Sequence, residues 1–371
     1  IQMPVRPHDT PGMMDNRWHI KHWSHELTFK RPAGTSRGVM LSKPAYFIEV
    51  ACEGFKGQGE CGLLPGLSID DSPQYPLQLA EFCQAIDALG AEQWLAWADS
   101  GQISPNFLHA WRLWPSMVFA LEQTLLSFVD SRNGGSGQQL FDNPFSQRSK
   151  GIPINGLIWM GDADHMTQEA EARLSEGFTC LKMKVGAIDF QQEMAQLTQL
   201  RRRFSSQELE LRVDANGAFT KANAAEAMDA LLTLDLHSIE QPSAPTDIDL
   251  LAELSANHDL PIALDESLIG RHDSRTRDAL LDAVKPAYIV LKPSLVGGFA
   301  SAEDWIHRAN KRGIAYWVTS ALESSMGLNA IAQWAAQLEG LSGYQGLGTG
   351  SIYQNNLPSL TKVQSGELWQ R

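Results

Sequence analysis

The stretch CLKMKVG, residues 180–186, sets two lysines, Lys182 and Lys184, two positions apart in an otherwise apolar, strand-like run. Side chains alternate along a strand, so both lysines point one way while Leu181, Met183 and Val185 point the other. Four more charged residues close later β-rich runs: Asp214 in LELRVDA, Glu240 in LHSIE, Asp265 in PIALDES and Lys292 in AYIVLKP. Counted from Lys184 the intervals are 30, 26, 25 and 27 residues, each the length of one strand–helix unit. The five side chains therefore belong at the same end of five consecutive strands. One Asp after a strand would pass as a helix cap. Lysine is a poor cap, however, and the middle three share a charge, so the set reads as a site. Three converging carboxylates repel one another unless a cation holds them together. Oxygen ligands without histidine select a hard ion, Mg²⁺ with Mn²⁺ as a substitute, and disfavour zinc. A lysine facing a metal, a second lysine and a dry wall is disfavoured as a cation, so its pKa is expected to fall towards that of a usable base. Lys184 and Lys292 then face each other across the metal carboxylates, an arrangement suited to removing a proton next to a carboxylate.

Elements must hold those residues in phase. From residue 151 onward short β-rich runs (GIPINGLIW, CLKMKV, LELRVDA, LHSIE, PIALDES, AYIVLKP, IAYWVTS, GYQGLG) alternate with seven helical stretches. That pattern predicts an α/β fold, a modified (β/α)8 TIM barrel with its site at the C-terminal mouth, and an open doubly wound sheet is the alternative. The bland reading of Lys182 and Lys184, both reaching outward between helices, would break the phase. Arg212 shares a face with Asp214 and is a candidate partner for it or for a substrate, as is Asn216 just beyond.

Before the barrel, residues 18–62 read as a meander of strands, followed by helical patterns of which SMVFALEQTLLSFVD is the clearest. There Ser116 is the expected N-cap, with Val118, Leu121, Leu125 and Phe128 along one stripe. Together with the Gly-rich break at RNGGSGQQLFDNPFSQ this predicts an α+β capping domain over 1–150, the barrel over 151–350 and a tail over 351–371, part of which packs back on the cap. The separator KRPAGTSRGVMLSKP is expected to be a mobile loop. The opening residues IQMPVRPHDTPGMMDN read as a frayed terminus without a signal peptide's apolar core.

A net charge of −13 over 371 residues argues against nucleic-acid or anionic-membrane partners and leaves a small molecule as the expected one. Oligomeric state is not legible. Cys52, Cys61, Cys83 and Cys180 lack disulfide or zinc spacing, and no apolar run is long enough to cross a bilayer, so a cytoplasmic location is expected. His19, His22 and His25 are discounted as ligands because residues i and i+3 on a strand face opposite ways. Trp159, just past the first barrel strand and closing the run GIPINGLIW, is placed to line the pocket. GQGECG has no Gly-Lys-Ser/Thr after it and is not a phosphate loop.

LKMKVG, LRVDANGAF, IEQP, ALDES and VLKPSLVGGF, in this order, resemble the enolase superfamily and its muconate lactonizing subgroup. The resemblance covers nearly the whole chain and implies an N-terminal α+β cap on a modified barrel. It also implies Asp214, Glu240 and Asp265 as Mg²⁺ ligands, Lys184 and Lys292 as the pair facing the substrate, and Lys182 as a neighbour that orients or polarises its carboxylate. GECGLLPGLS, WPSMVFALEQTLL and TSALESSMGLNAIAQWAA resemble the menaquinone-pathway dehydratases of that subgroup, which convert 2-succinyl-6-hydroxy-2,4-cyclohexadiene-1-carboxylate to 2-succinylbenzoate. That implies Lys184 as base and then acid on one face, with Lys292 staying cationic. An N-succinylamino acid racemase, a dipeptide epimerase or a cycloisomerase is the alternative, although Gly346-Leu347-Gly348 stands where dipeptide epimerases carry Asp-x-Asp. For the substrate's second carboxylate the turn SALESSMG offers backbone N–H groups with Ser320 or Ser324. Arg31, Arg37 and Lys43 of the separator are further candidates, with solvated surface charge the simpler reading.

Overall fold

The computed structural model describes residues 17–35, 38–159, 162–186 and 189–371. The segment 1–16, expected to be a frayed terminus, and Arg37 lie outside the described residues.

The chain opens with three antiparallel strands, β1 (His19–Thr35), β2 (Gly38–Cys52) and β3 (Phe55–Glu60), side by side in that order. The segment expected to be a mobile loop is instead the far half of the β1–β2 hairpin, paired through Ala33 with Met40 and Thr35 with Gly38. Pairing lapses only between Thr28 and Ala33, where Pro32 has no N–H to give to the ladder. Helices α1 (Tyr75–Ser100), α2 (Pro105–Ala110) and α3 (Pro115–Arg132) follow. α3 lies so close on β3 that a Cβ at Gly57 or Gly59 would run into the carbonyl oxygens of Thr124 or Ala120. The glycines of GQGECG therefore serve packing. Ser116 is not the N-cap: α3 begins at Pro115, which suits a first turn because it has no N–H to leave unpaired. Ser116 is buried, and its amide and hydroxyl both donate to Asp70 Oδ2, at 3.0 and 2.6 Å. Val118, Leu121, Leu125 and Phe128 are all buried.

Next come β4 (Ile152–Pro153) and β5 (Gly156–Ile158), then α4 (Ala163–Ser175), β6 (Cys180–Lys184), α5 (Phe190–Arg203), β7 (Glu210–Asp214), α6 (Ala224–Leu232) and β8 (Ser238–Glu240). The alternation continues with α7 (Ile248–Asn257), β9 (Ile262–Leu264), α8 (Ser274–Val284), β10 (Tyr288–Leu291), the short α9 (Pro293–Val296), α10 (Gly298–Asn310), β11 (Ala315–Val318) and α11 (Ser325–Gln337). Strands β5 to β11 form one parallel sheet in sequential order. The eighth run, GYQGLG, is too poor in side chains to build a full strand. It contributes isolated parallel bridges, Gln345 to Ile154 and Gly346 to Thr319, which carry the sheet round from β11 to Ile154, two residues ahead of β5. The fold is a modified (β/α)8 barrel under an antiparallel cap, not an open doubly wound sheet.

Leu181, Met183 and Val185 are buried in the same cluster as Leu197 and Leu200 of α5, so the apolar side of β6 meets the helices and the lysines enter the barrel. The last residues, patternless in sequence, form a hairpin of β12 (Thr361–Gln364) and β13 (Glu367–Gln370), and β13 pairs antiparallel with β4. Ahead of it, backbone bonds of 2.8 Å from Lys30 N to Ile352 O and from Gln354 N to Thr28 O join the tail to β1. Two buried carboxylates tie cap to barrel at helix N-termini, where unpaired amides and the helix dipole favour an anion. Glu122 of α3 accepts from Phe299 N and Ala300 N of α10. Glu60 of β3 accepts from Ser324 N at 2.9 Å, Ser324 Oγ at 2.6 Å and Gly327 N at 2.9 Å at the start of α11. Among the described residues no helix is long and apolar enough to cross a membrane.

Candidate active site

Register places the charged strand ends beside one another: Lys184 opposite Asp214, and Asp214 opposite Glu240. Asp265 and Lys292 directly follow β9 and β10. Lys182 Nζ lies 2.6 Å from Glu240 Oε2 and 2.9 Å from Asp214 Oδ2. Lys184 Nζ donates to Asn216 Oδ1 at 2.5 Å and stands 3.7 Å from Asp214 Oδ2. Lys292 Nζ is paired with Asp265 Oδ2. Asn216, held in the left-handed region at φ 44°, donates through Nδ2 to Glu266 Oε1 at 2.9 Å. The three lysines, Asp214, Asn216 and Glu266 open on a cavity of about 880 Å³ whose upper wall includes Met40 from the cap.

Electrostatics inside the ring set burial against the neighbouring charges. Burial pulls the Lys182 and Lys292 ammonium groups down, but Asp214 and Glu240 around the first, and Asp265 and Glu266 beside the second, outweigh it and raise both pKa values. Burial and the Asp214 charge push Glu240 up to about 8. Burial also raises Asp265 despite Lys292. Against the same burial, Lys182, Lys184 and Lys292 hold Asp214 well below the usual carboxylate range.

Among the described residues no three His, Cys, Asp or Glu side chains are already drawn together as a metal cluster. The ammonium groups of Lys182 and Lys292 stand among the carboxylates instead. The donor set nevertheless fits a hard divalent cation. It is all oxygen, Asp214, Glu240 and Asp265 are buried, and Glu240 Oε1 has no hydrogen-bond partner. Such an orphan acceptor costs free energy until a positive charge meets it.

Other sequence candidates divide. Ser320 lines the cavity, its hydroxyl 2.7 Å from that of Thr349, and Trp159 lines it too. Ser324 does not: its amide and hydroxyl are taken by Glu60, so the α11 N-terminus is already occupied by a carboxylate of the cap. Arg212 is also displaced from its expected role. It sits deeper in the barrel, Nε 2.7 Å from Glu210 Oε1, Nη1 2.9 Å from Tyr344 O, its guanidinium 4.5 Å from the centre of the Trp317 ring. Two residues below Asp214 on the same face is a full pleat further from the mouth. Lys43, read as solvated, is fully buried. Arg31 is exposed. Glu266 was not singled out, although its place directly after Asp265 in ALDES was the available signal.

A barrel whose successive strand ends carry Lys, Asp, Glu, Asp and Lys under an α+β cap has the architecture of an enzyme that works at the barrel mouth. The family model described as enolase C-terminal domain-like matches residues 165–367. The o-succinylbenzoate synthase of Desulfotalea psychrophila is 47% identical over 92% of this chain and 96% of its own length. The chain belongs to the enolase superfamily and, within it, to the o-succinylbenzoate synthase family of lyases. The crystal structure of MenC from Desulfotalea psychrophila superposes with a TM-score of 0.82 at 42% identity, covering 95% of this chain and 99% of that one. The N-succinyl-L-Arg/Lys racemase of Bacillus cereus is 31% identical over 48% of this chain and 47% of its own length. The L-Ala-D/L-Glu epimerase of Bacillus subtilis shares the fold, with a TM-score of 0.78 at 20% identity over 95% of this chain and 96% of that one.

Proposed function

We propose that the chain catalyses the Mg²⁺-dependent syn loss of water from 2-succinyl-6-hydroxy-2,4-cyclohexadiene-1-carboxylate to give 2-succinylbenzoate. The observation that carries this reading is the near full-length identity to an o-succinylbenzoate synthase in a chain whose lysines and carboxylates share one mouth. Asp214, Glu240 and Asp265 would hold the cation, which when bound supplies positive charge against the anion that builds on the substrate carboxylate. Lys184 takes the proton from the carbon bearing that carboxylate, and the C–H electron pair passes into the carboxylate as an enediolate. As that pair returns to the ring, the C–O bond on the neighbouring carbon breaks. The same Lys184 proton goes to the departing hydroxyl, so water leaves and the ring becomes aromatic. Asn216 orients the Lys184 nitrogen through its 2.5 Å contact. Lys292 and Lys182 stand beside the same carboxylates and offer positive charge to the anion.

A second reading, racemisation of N-succinylamino acids, is favoured by the identity to the Bacillus cereus racemase and shares the first proton abstraction. Dipeptide epimerisation is disfavoured by the last barrel position. A Cβ at Gly346 would collide with the Thr319 side chain, so a side chain at that position would need Thr319 to shift. The test is to incubate the purified chain with Mg²⁺ and the cyclohexadiene carboxylate and follow aromatic absorbance. Turnover that disappears with chelator supports the dehydratase. No turnover, alongside racemisation of N-succinylamino acids, would replace it with the second reading.

A further inference from the structure

The stretch GECGLLPGLS leads from β3 into a tight turn that the proposed reaction leaves unused. Leu64, Pro65, Gly66 and Leu67 of this turn line the catalytic cavity together with Lys292. Leu64 is buried against Leu295 and Ala321, and Leu295 lies on α9, three residues beyond Lys292. The turn is therefore the wall that the cap presents to the Lys292 side of the cavity.

It is gripped at both ends. At its entry Gly62, at φ 60°, sits so close to α9 that a Cβ there would lie 2.6 Å from the Ser294 Cβ. Within it Leu64 O accepts from Leu67 N at 3.1 Å and Ser68 N at 2.9 Å, and Leu64 N donates to Ser68 Oγ at 2.9 Å. Gly66 N donates to Asp71 Oδ2 at 2.7 Å. At its exit the buried Asp70 accepts through Oδ2 from both the amide and the hydroxyl of Ser116, in the first turn of α3. That hydroxyl has one proton and gives it to Asp70, so in its 2.6 Å contact with Tyr75 it accepts from the phenol.

Folding alone does not ask for an acid here. A serine or threonine at the N-cap of α3 would serve a first-turn amide locally. That position is Trp114 instead, and the acceptor comes from 46 residues away, buried and with its Oδ1 unpartnered. A buried polar atom without a partner costs free energy. What the arrangement adds is a fixed distance between the turn and α3, the helix that Glu122 locks onto α10 of the barrel.

We propose that Asp70 is a positioning residue: clamped to Ser116, it holds the Leu64–Leu67 turn against α9 and so fixes the apolar wall on which substrate packs beside Lys292. The substrate contact rests on the reaction proposed above, whereas the clamp does not.

The test uses the full chain and the variants Asp70→Ala, Asp70→Asn and Ser116→Ala, with hydrogen exchange of the amides over residues 62–69, melting temperature and steady-state kinetics on the cyclohexadiene carboxylate. In D70A the turn amides are expected to exchange about tenfold faster, with KM raised about tenfold and kcat within about threefold of the parent. D70N keeps an oxygen for the Ser116 donors and should bring exchange and KM back to within about threefold of the parent. The D70A/S116A double variant should match D70A rather than multiply the two effects, because one broken clamp cannot be broken twice. KM within about twofold of the parent in D70A, even with a lowered melting temperature, would overturn the proposal and leave Asp70 a stabiliser of α3 alone. Should D70A not fold, S116A decides by the same readouts. If the parent itself does not turn the substrate over, the reaction reading falls, and turn exchange in D70A within about twofold of the parent would then overturn the clamp.

Discussion

Lys184 is the one ring lysine whose nearest polar neighbour is an amide oxygen, Asn216 Oδ1, rather than a carboxylate. The proposed reaction uses that difference to separate three chemically identical side chains into one proton carrier and two fixed charges. Lys184→Ala is expected to lower turnover by at least about a thousandfold, within the range for a positioned acid–base group, with circular dichroism and melting unchanged. Activity within about tenfold of the parent would remove the base assignment. At this scale sequence reasoning read direction well and environment poorly. The alternation in LKMKV decides which way Lys182 and Lys184 point. Whether a charge such as Lys43 meets solvent depends on how its strand packs in three dimensions, and no local pattern carries that.

Among the elements, β3 and α3 approach each other closely, and glycine is what permits it. Gly59→Ala forces a methyl group against the Ala120 carbonyl and is expected to cost about 3 kcal/mol of unfolding free energy, read as a lower urea midpoint. A loss under about 0.5 kcal/mol would mean the strand and helix can separate freely. At the start of α10, burial pushes the Glu122 carboxyl up to about 8 against the two amides it accepts from. Ionisation that is harder in the folded than in the unfolded chain makes its contribution full below the unfolded pKa, near 4.5, and lost as pH rises through about 8. Glu122→Gln does not titrate. The stability of the parent relative to E122Q should therefore fall between those pH values, by up to about 1.4 kcal/mol per pH unit. Equal pH slopes for the two proteins in denaturant titrations would show that Glu122 stays ionised. The helices were legible from periodicity, yet Ser116 shows the limit. A serine before an apolar run has the composition of a cap, and only the position of Asp70 reveals that it is spent elsewhere.

Across the whole molecule the cap and barrel hold each other through groups that neither supplies alone. Glu60 belongs to the cap sheet but completes the first turn of α11. Glu60→Ala should cost about 3 kcal/mol by leaving Ser324 N and Gly327 N without their acceptor, and should loosen the wall at Ala321 and Leu322. An unfolding midpoint equal to the parent's would show that solvent replaces the carboxylate.

Chain order by itself determined the barrel and its ring, because a strand–helix unit has a nearly constant length and puts every strand end at the same mouth. Lys184, Asp214, Glu240, Asp265 and Lys292 could be placed there before any contact was known. Tertiary structure alone decided what those charges do to one another, with ammonium groups raised in pKa by the carboxylates they stand among. It also set Ser324 and Arg212 outside the lining of the cavity. Both outcomes rest on pairs such as Glu60 with Ser324, 264 residues apart. Electrostatic energies and steric fits depend on distances in space, and a one-dimensional pattern of residue types does not contain them.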